Sequence, residues 1–261
     1  CREKRSIAHC TAFAIFVFAK LIIFTYVNSY WVDIHTHRPL DGRPGIRSLR
    51  IGTDFPDSTD GKISAGIHPW DAERAQREWL DGIRELQPAA VGEIGLDYYW
   101  SDAFVAQQTE AFVAQLRLAA RFDLPVAIHT RAAWDDMCRI IGEEATAAAK
   151  AGRRLRGVFH AFSEDAVTYR KLKACGDFAF GIGGVVTFRK SKLADTVREM
   201  ELDDIVLETD CPYLTPAPHR GERNESAYVR FVCEKVAELK GLPPGEVAAA
   251  TTANAKRIFG I

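Results

Sequence analysis

His35, His68, His129 and His160 each close a short apolar run, and His37 follows His35 by two residues, so five of the seven histidines stand at run ends. Glu93, in AVGEIGLD, and Asp210, in IVLETD, occupy the same kind of position. Two residues apart on an extended segment point to one side, so His35 and His37 can reach one ion. Imidazole nitrogens mixed with carboxylate oxygens suit zinc, manganese, iron or cobalt better than calcium. His35, His37, Glu93, His129, His160 and Asp210 are more ligands than one tetrahedral zinc takes, which points to two divalent ions. A pair about 3.5 to 4 Å apart needs a bridging group, and a central carboxylate such as Glu93 can be that bridge. Two divalent ions outweigh the two carboxylates, and a positive site favours an anionic substrate such as a phosphodiester. His68 and Arg131 fall outside this set and are candidates for binding phosphate oxygens, Arg131 through its planar fork.

Such residues have to be gathered by the fold. Apolar runs at 31–34, 63–67, 89–91, 126–128, 157–159, 178–182 and 205–207 alternate with helical patterns at 72–86, 102–122, 133–144, 165–174, 191–199, 227–240 and 243–257. That rhythm predicts βα units around a parallel sheet. The expected fold class is α/β, a distorted TIM-like (β/α) barrel of seven to eight strands, whose C-terminal strand ends converge on one mouth. Residues 41–61 are rich in Gly, Pro, Asp and Ser and hold one further strand at 46–51. The first βα unit is therefore expected to be shortened, with a loop or hairpin in place of its crossover helix. Ser163 and Asp165 can cap a helix. In 102–122, Phe104, Phe112, Leu116 and Ala119 recur at helical spacing and predict a buried face.

With 34 basic and 35 acidic residues the net charge is −1, which excludes a wholly basic nucleic-acid coat. Phosphate contacts must then be local. Arg189, Lys190, Lys192, His219, Arg220 and Arg223 lie on loops expected to rim the mouth, and Tyr98, Tyr99, Trp100 and Trp134 follow active-site strands where they could stack bases or shield the barrel top. The six cysteines include no CxxC pair, the pattern of reduced thiols in a cytoplasmic protein. Residues 1–30 stand apart from the rest. Their apolar stretch 11–27 is broken by Lys20, follows Arg2, Lys4 and Arg5, and falls short of the roughly 20 residues that span a bilayer. No small-residue cleavage site follows it, so translated upstream sequence, a signal or anchor, and an extra packed element all stay open. The domain reading is an apolar extension over 1–30 and one barrel over 31–261.

The segments VDIHTH, AGIHPW, VGEIGLDYYW, QQTEAFVAQLRLAARFDLPVAIHTR, GVFHAFS, GIGGVVTF and VLETDCPYLTPAPHRGERNE, in this order, resemble the TatD family of metal-dependent deoxyribonucleases, among the amidohydrolase-type barrels. The resemblance implies one metal held by His35, His37, Glu93 and Asp210 and a second by Glu93, His129 and His160. Zinc, manganese or magnesium would be the ions. It implies Asp210 and Glu93 as catalytic residues, Asp210 taking a proton from the attacking water, and 3′ to 5′ exonuclease action on DNA, with single strands or 3′ ends as substrate. Two departures stand out: the spacing from His37 to His68 is shorter than the family's, and Ser226 replaces its usual proline after Asn-Glu. Hydrolysis of another ester or amide, such as an aminoacyl-tRNA ester, and a binding barrel without turnover are the alternatives.

Because no catalytic candidate lies before Trp31, deleting residues 1–29 is expected to leave metal binding and hydrolysis intact. Insoluble or unfolded protein after that deletion would show that the apolar segment belongs to the folded structure.

Overall fold

The computed structural model describes residues 31–40, 42–54 and 62–261, so the apolar extension 1–30 lies outside it. Eight parallel strands stand side by side in chain order: β1 (Asp33–Thr36), β2 (Gly45–Arg50), β3 (Lys62–Gly66), β4 (Ala90–Asp97), β5 (Val126–Arg131), β6 (Arg156–Phe159), β7 (Asp177–Ile182) and β8 (Ile205–Leu207). Helix α1 (Glu78–Glu85) follows β3, α2 (Val105–Phe122) follows β4, α3 (Trp134–Lys150) follows β5, α4 (Ala166–Lys173) follows β6 and α5 (Leu193–Glu199) follows β7. Two helices, α6 (Val229–Lys240) and α7 (Pro244–Phe259), follow β8. None of the described helices is long and apolar enough to cross a membrane.

The first unit is short, as its composition predicts, but it is not a hairpin. β2 pairs parallel with both β1 and β3, so the connection between β1 and β2 is a return loop and not a tight antiparallel turn. The helix expected at 72–86 is also divided. His68 accepts a hydrogen bond from the Trp70 amide and Pro69 opens a 3₁₀ turn, Pro69–Arg74, which ends at extended Ala75 before α1 begins. Asp165 caps α4 by accepting from the Thr168 amide at 2.8 Å.

Strand alternation sorts the apolar residues into two layers. Ile34, Ile46, Ala90, Ala127, Val158, Ala179 and Val206 fill the barrel interior, and Ala255, Ile258 and Phe259 of α7 pack on them. Outside, Ile128, Phe159, Phe178 and Phe180 meet the helices, where Phe112 and Leu116 of α2 and Met137 and Ile140 of α3 are buried. Each such side chain contributes about 1.5–3 kcal/mol by leaving water.

The sheet closes where β1 meets the segment after β8. The Asp210 amide donates to the His35 carbonyl at 3.0 Å, and the His37 amide donates to the Cys211 carbonyl at 2.9 Å. Beneath them the buried Asp33 carboxylate accepts from both the amide (2.9 Å) and the hydroxyl (2.7 Å) of Thr209.

One irregularity in β4 sets the rest. Gly92 pairs with Ala127 and Ile94 with Ile128, which leaves Glu93 as an extra residue, a β-bulge. Before it Ala90 faces the interior; after it Ile94 and Leu96 face the helices. The inserted residue thus turns the Glu93 and Asp97 side chains inward. Gly95 has φ +143, and a Cβ there would run into the His129 carbonyl. Gly95→Ala is therefore expected to lower stability by about 3 kcal/mol, measured by urea unfolding; a loss under 0.5 kcal/mol, roughly the effect of a neutral surface change, would mean that β4 and β5 are not held at this spacing.

Candidate active site

Every strand from β3 to β8 except β7 delivers a polar side chain to the mouth, either inside its last turn of pleat or just beyond it. On β5, Ala127, His129 and Arg131 share one face, so the alternation that buries the alanine sends the histidine into the site. β1 contributes His35, and its register against β2 also slips between Asp33 and Thr36.

Glu93 sits at the centre with 3% exposure. Its Oε2 faces His35 Nε2 at 3.5 Å and His37 Nε2 at 3.6 Å. Its Oε1 faces His129 Nδ1 at 2.9 Å, His160 Nε2 at 3.3 Å and His68 Nε2 at 3.5 Å. Asp210 closes the His35 side, its Oδ1 lying 3.4 Å from His37 Nε2 and 3.8 Å from His35 Nε2. Its backbone is left-handed, φ +55, a turn that aspartate tolerates and that lifts its carboxylate back over the mouth.

Two further carboxylates lie behind the histidines. Asp97 Oδ2 is 3.1 Å from His129 Nε2, and Glu208 Oε1 is 3.2 Å from His160 Nδ1 while accepting from the Ala161 amide at 2.7 Å. A carboxylate on one imidazole nitrogen fixes the proton there and leaves the lone pair of the other nitrogen pointing into the site. Glu208 fits because position 181 is glycine; a Cβ at Gly181 would collide with Glu208 Oε2.

The electrostatics follow from the same contacts. Burial opposes charge on Glu93, but the imidazoles of His160, His68 and His129 outweigh it and hold its pKa well below the carboxylate range. Burial likewise opposes charge on His160, yet Glu208 and Glu93 hold its pKa well above the usual imidazole value. Burial and the neighbouring His160 push His35 down, toward the neutral form. His35 Nε2 and His37 Nε2 lie 3.4 Å apart with both rings aimed at one point. Imidazole nitrogens gathered around buried carboxylates are a ligand set suited to a divalent cation, and His35–His37–Glu93, His35–His160–Asp210 and His68–Glu93–His129 each bring candidate donor atoms within reach of one ion.

All six expected ligand residues are gathered here, together with His68. Arg131 stands at the rim, its guanidinium 3.6 Å from the centroid of Tyr99. The four expected stacking aromatics part company: Tyr98 donates to Asp136 and packs on the core, Trp134 packs edge-on against Phe162, and Tyr99 and Trp100 are exposed. Asp97 and Glu208 went unpredicted; their inward parity on β4 and after β8 was the available signal, hidden at Asp97 by the bulge.

The TatD related DNase family matches residues 53–260. This span includes Glu93, His129, His160 and Asp210, so His35 and His37 join the site on geometry. The chain is 41% identical over 201 residues to the uncharacterized metal-dependent hydrolase YabD of Bacillus subtilis (strain 168), covering 75% of this chain and 76% of that protein. It is 38% identical over 226 residues to the uncharacterized metal-dependent hydrolase YcfH of Escherichia coli (strain K12), covering 84% and 80%. Among solved structures, the TatD homolog YJJV of Escherichia coli K12 superposes with a TM-score of 0.79 at 26% identity, covering 89% of this chain and 99% of that one.

Since Asp97 holds the His129 ring, Asp97→Asn is expected to weaken divalent-ion binding about 10- to 100-fold with the circular dichroism spectrum unchanged. Calorimetric titration giving wild-type affinity would show that Asp97 does not orient His129.

Proposed function

The chain belongs to the TatD related DNase family of metal-dependent hydrolases, and on that premise we propose that it hydrolyses the phosphodiester bonds of DNA, working from a 3′ end. The observation that carries this reading is the division of donors by Glu93: one oxygen faces His35 and His37, the other His129 and His160. That division suits two ions sharing one carboxylate. His35, His37, Glu93 and Asp210 would hold the first, and Glu93, His129 and His160 the second, with zinc, manganese or magnesium as the metal. When bound, such ions lower the pKa of a water between them and offset charge building on a phosphate.

The chain's own groups do the rest. Burial works to raise the Asp210 pKa, but His37, His160 and His35 overcome it and keep the carboxylate ionised. Asp210 is thus a base able to take the proton of the attacking water. The water oxygen bonds to phosphorus, the P–O3′ bond to the shortened strand breaks, and the proton passes from Asp210 to the departing oxygen or to solvent. His68 accepts from the Trp70 amide on Nδ1 at 3.2 Å, and burial favours its neutral form, so its proton sits on Nε2. Nε2, which faces Glu93 Oε1 at 3.5 Å, is then a donor that a phosphate oxygen beside Glu93 would share. Arg131 offers the same oxygens a charged fork. The four free thiols among the described residues support a reducing, cytoplasmic setting.

The test is cleavage of single-stranded DNA labelled at either end, with manganese or zinc and with chelator. Release from the 3′ end, abolished by chelator and by His129→Ala, is expected. Asp210→Asn is expected to lower kcat about 10²- to 10⁴-fold. Cleavage that is metal-independent and equal in His129→Ala would overturn the proposal, and turnover of a carboxylic ester with none of DNA would move the same site to another bond.

A further inference from the structure

Six large apolar side chains are exposed among the described residues; three of them, Trp70, Tyr99 and Tyr213, contact groups of the donor cluster, and a fourth, Trp100, packs on Tyr99. Their placement is fixed by the site itself. The Trp70 indole donates to Asp97 Oδ2 at 2.9 Å, the carboxylate that also holds His129, and the Tyr99 amide donates to Asp97 Oδ1 at 3.0 Å. On the other side Tyr213 stands 6.1 Å from the His37 ring.

Trp100 is the most exposed of the four, at 72%. A tryptophan serving the core would be buried, and this one is instead braced from behind. Tyr99 meets it edge-on with centroids 4.8 Å apart at 87°, and the Arg131 guanidinium covers the Tyr99 ring at 3.6 Å and lies 5.7 Å from the Trp100 centroid. Tyr99 is therefore a bracket whose face is already taken. Arg131 makes no ion pair among the described residues, so its donors are free for an anion outside the protein. An open indole face beside an unspent guanidinium, both tied through Asp97 and Tyr99 to the metal-donor cluster, presents a planar apolar surface and a phosphate fork side by side.

We propose that Trp100, braced by Tyr99 and Arg131, is a stacking subsite for an unpaired nucleobase of single-stranded DNA, the base belonging to a nucleotide whose phosphate Arg131 engages. This rests on the reading of the site as a DNA phosphodiesterase. Bases within a duplex already have both faces covered, so such a platform selects single strands and frayed ends. Every base has a π-face, so it selects them without regard to sequence.

The proposal is tested by binding, apart from turnover. The full chain with manganese is titrated against a 5′-labelled phosphorothioate oligothymidylate and against a fully abasic oligomer of the same length and charge, followed by fluorescence anisotropy. The wild type is expected to prefer the base-bearing strand about tenfold or more, the effect of one stacked base. Trp100→Ala is expected to bring the two affinities together, and Trp100→Phe to keep most of the preference. Equal wild-type affinities, or a preference untouched by Trp100→Ala, would overturn the subsite while metal-dependent cleavage stands. Base preference without cleavage would support the subsite and overturn DNA hydrolysis. Binding of neither strand would overturn both.

Discussion

Glu93 is a carboxylate with almost no access to water, and a buried ion costs several kcal/mol unless it is paired and hydrogen-bonded. Everything at the barrel mouth answers that demand. The extra residue in β4 carries the group inside, Gly95 lets β4 and β5 approach closely around it, and five imidazoles surround its two oxygens. Those imidazoles are wholly or largely removed from water, and His129 and His160 lean on Asp97 and Glu208. Charge is thus compensated in alternating layers, and His35, His37 and Asp210 converge with Glu93 on the side where donor atoms could hold a cation.

Most of the barrel could be read from apolar runs because its strands are buried on both faces and its helices carry a clear apolar side. The reading stopped short where strands turn polar. β4 was expected to end at 91, yet it continues to Asp97, since Gly-Glu-Ile-Gly looks like a break in a linear pattern and is a strand once a bulge and close packing are allowed. For the same reason His35, Glu93 and His129 lie within their strands rather than at the edge of them. The direction of β2 was left open: a short Gly- and Pro-rich link allows a loop or a hairpin, and the parallel pairing with β1 and β3 selects the loop. The residues that gather at the mouth were legible from residue type and placement. Asp97 and Glu208 were not, because a carboxylate that orients a histidine looks in sequence like any other acidic residue.

Away from the mouth the surface neutralises itself. Arg117 pairs with Glu144, Arg139 with Asp136 and Glu143, and Arg170 with Glu199. Exposed pairs of this kind are worth about 0–1 kcal/mol each, so they matter more for neutralising local charge than for stability. Arg220, stacked 3.8 Å over Phe188, and Arg131, 3.6 Å over Tyr99, are instead held by rings rather than by carboxylates.

The seam between Asp33 and Thr209 joins residues 176 positions apart. As the chain leaves the ribosome, β1 is made first and remains without its closing partner until nearly all the other strands exist. Contacts so distant in sequence are won late and slowly in folding. The same seam sets Asp210 beside His35 and His37, so the metal-donor cluster is completed by the step that closes the barrel. A nascent or half-folded chain consequently holds scattered histidines without a finished hydrolytic centre, and competence for chemistry arrives together with the closed fold.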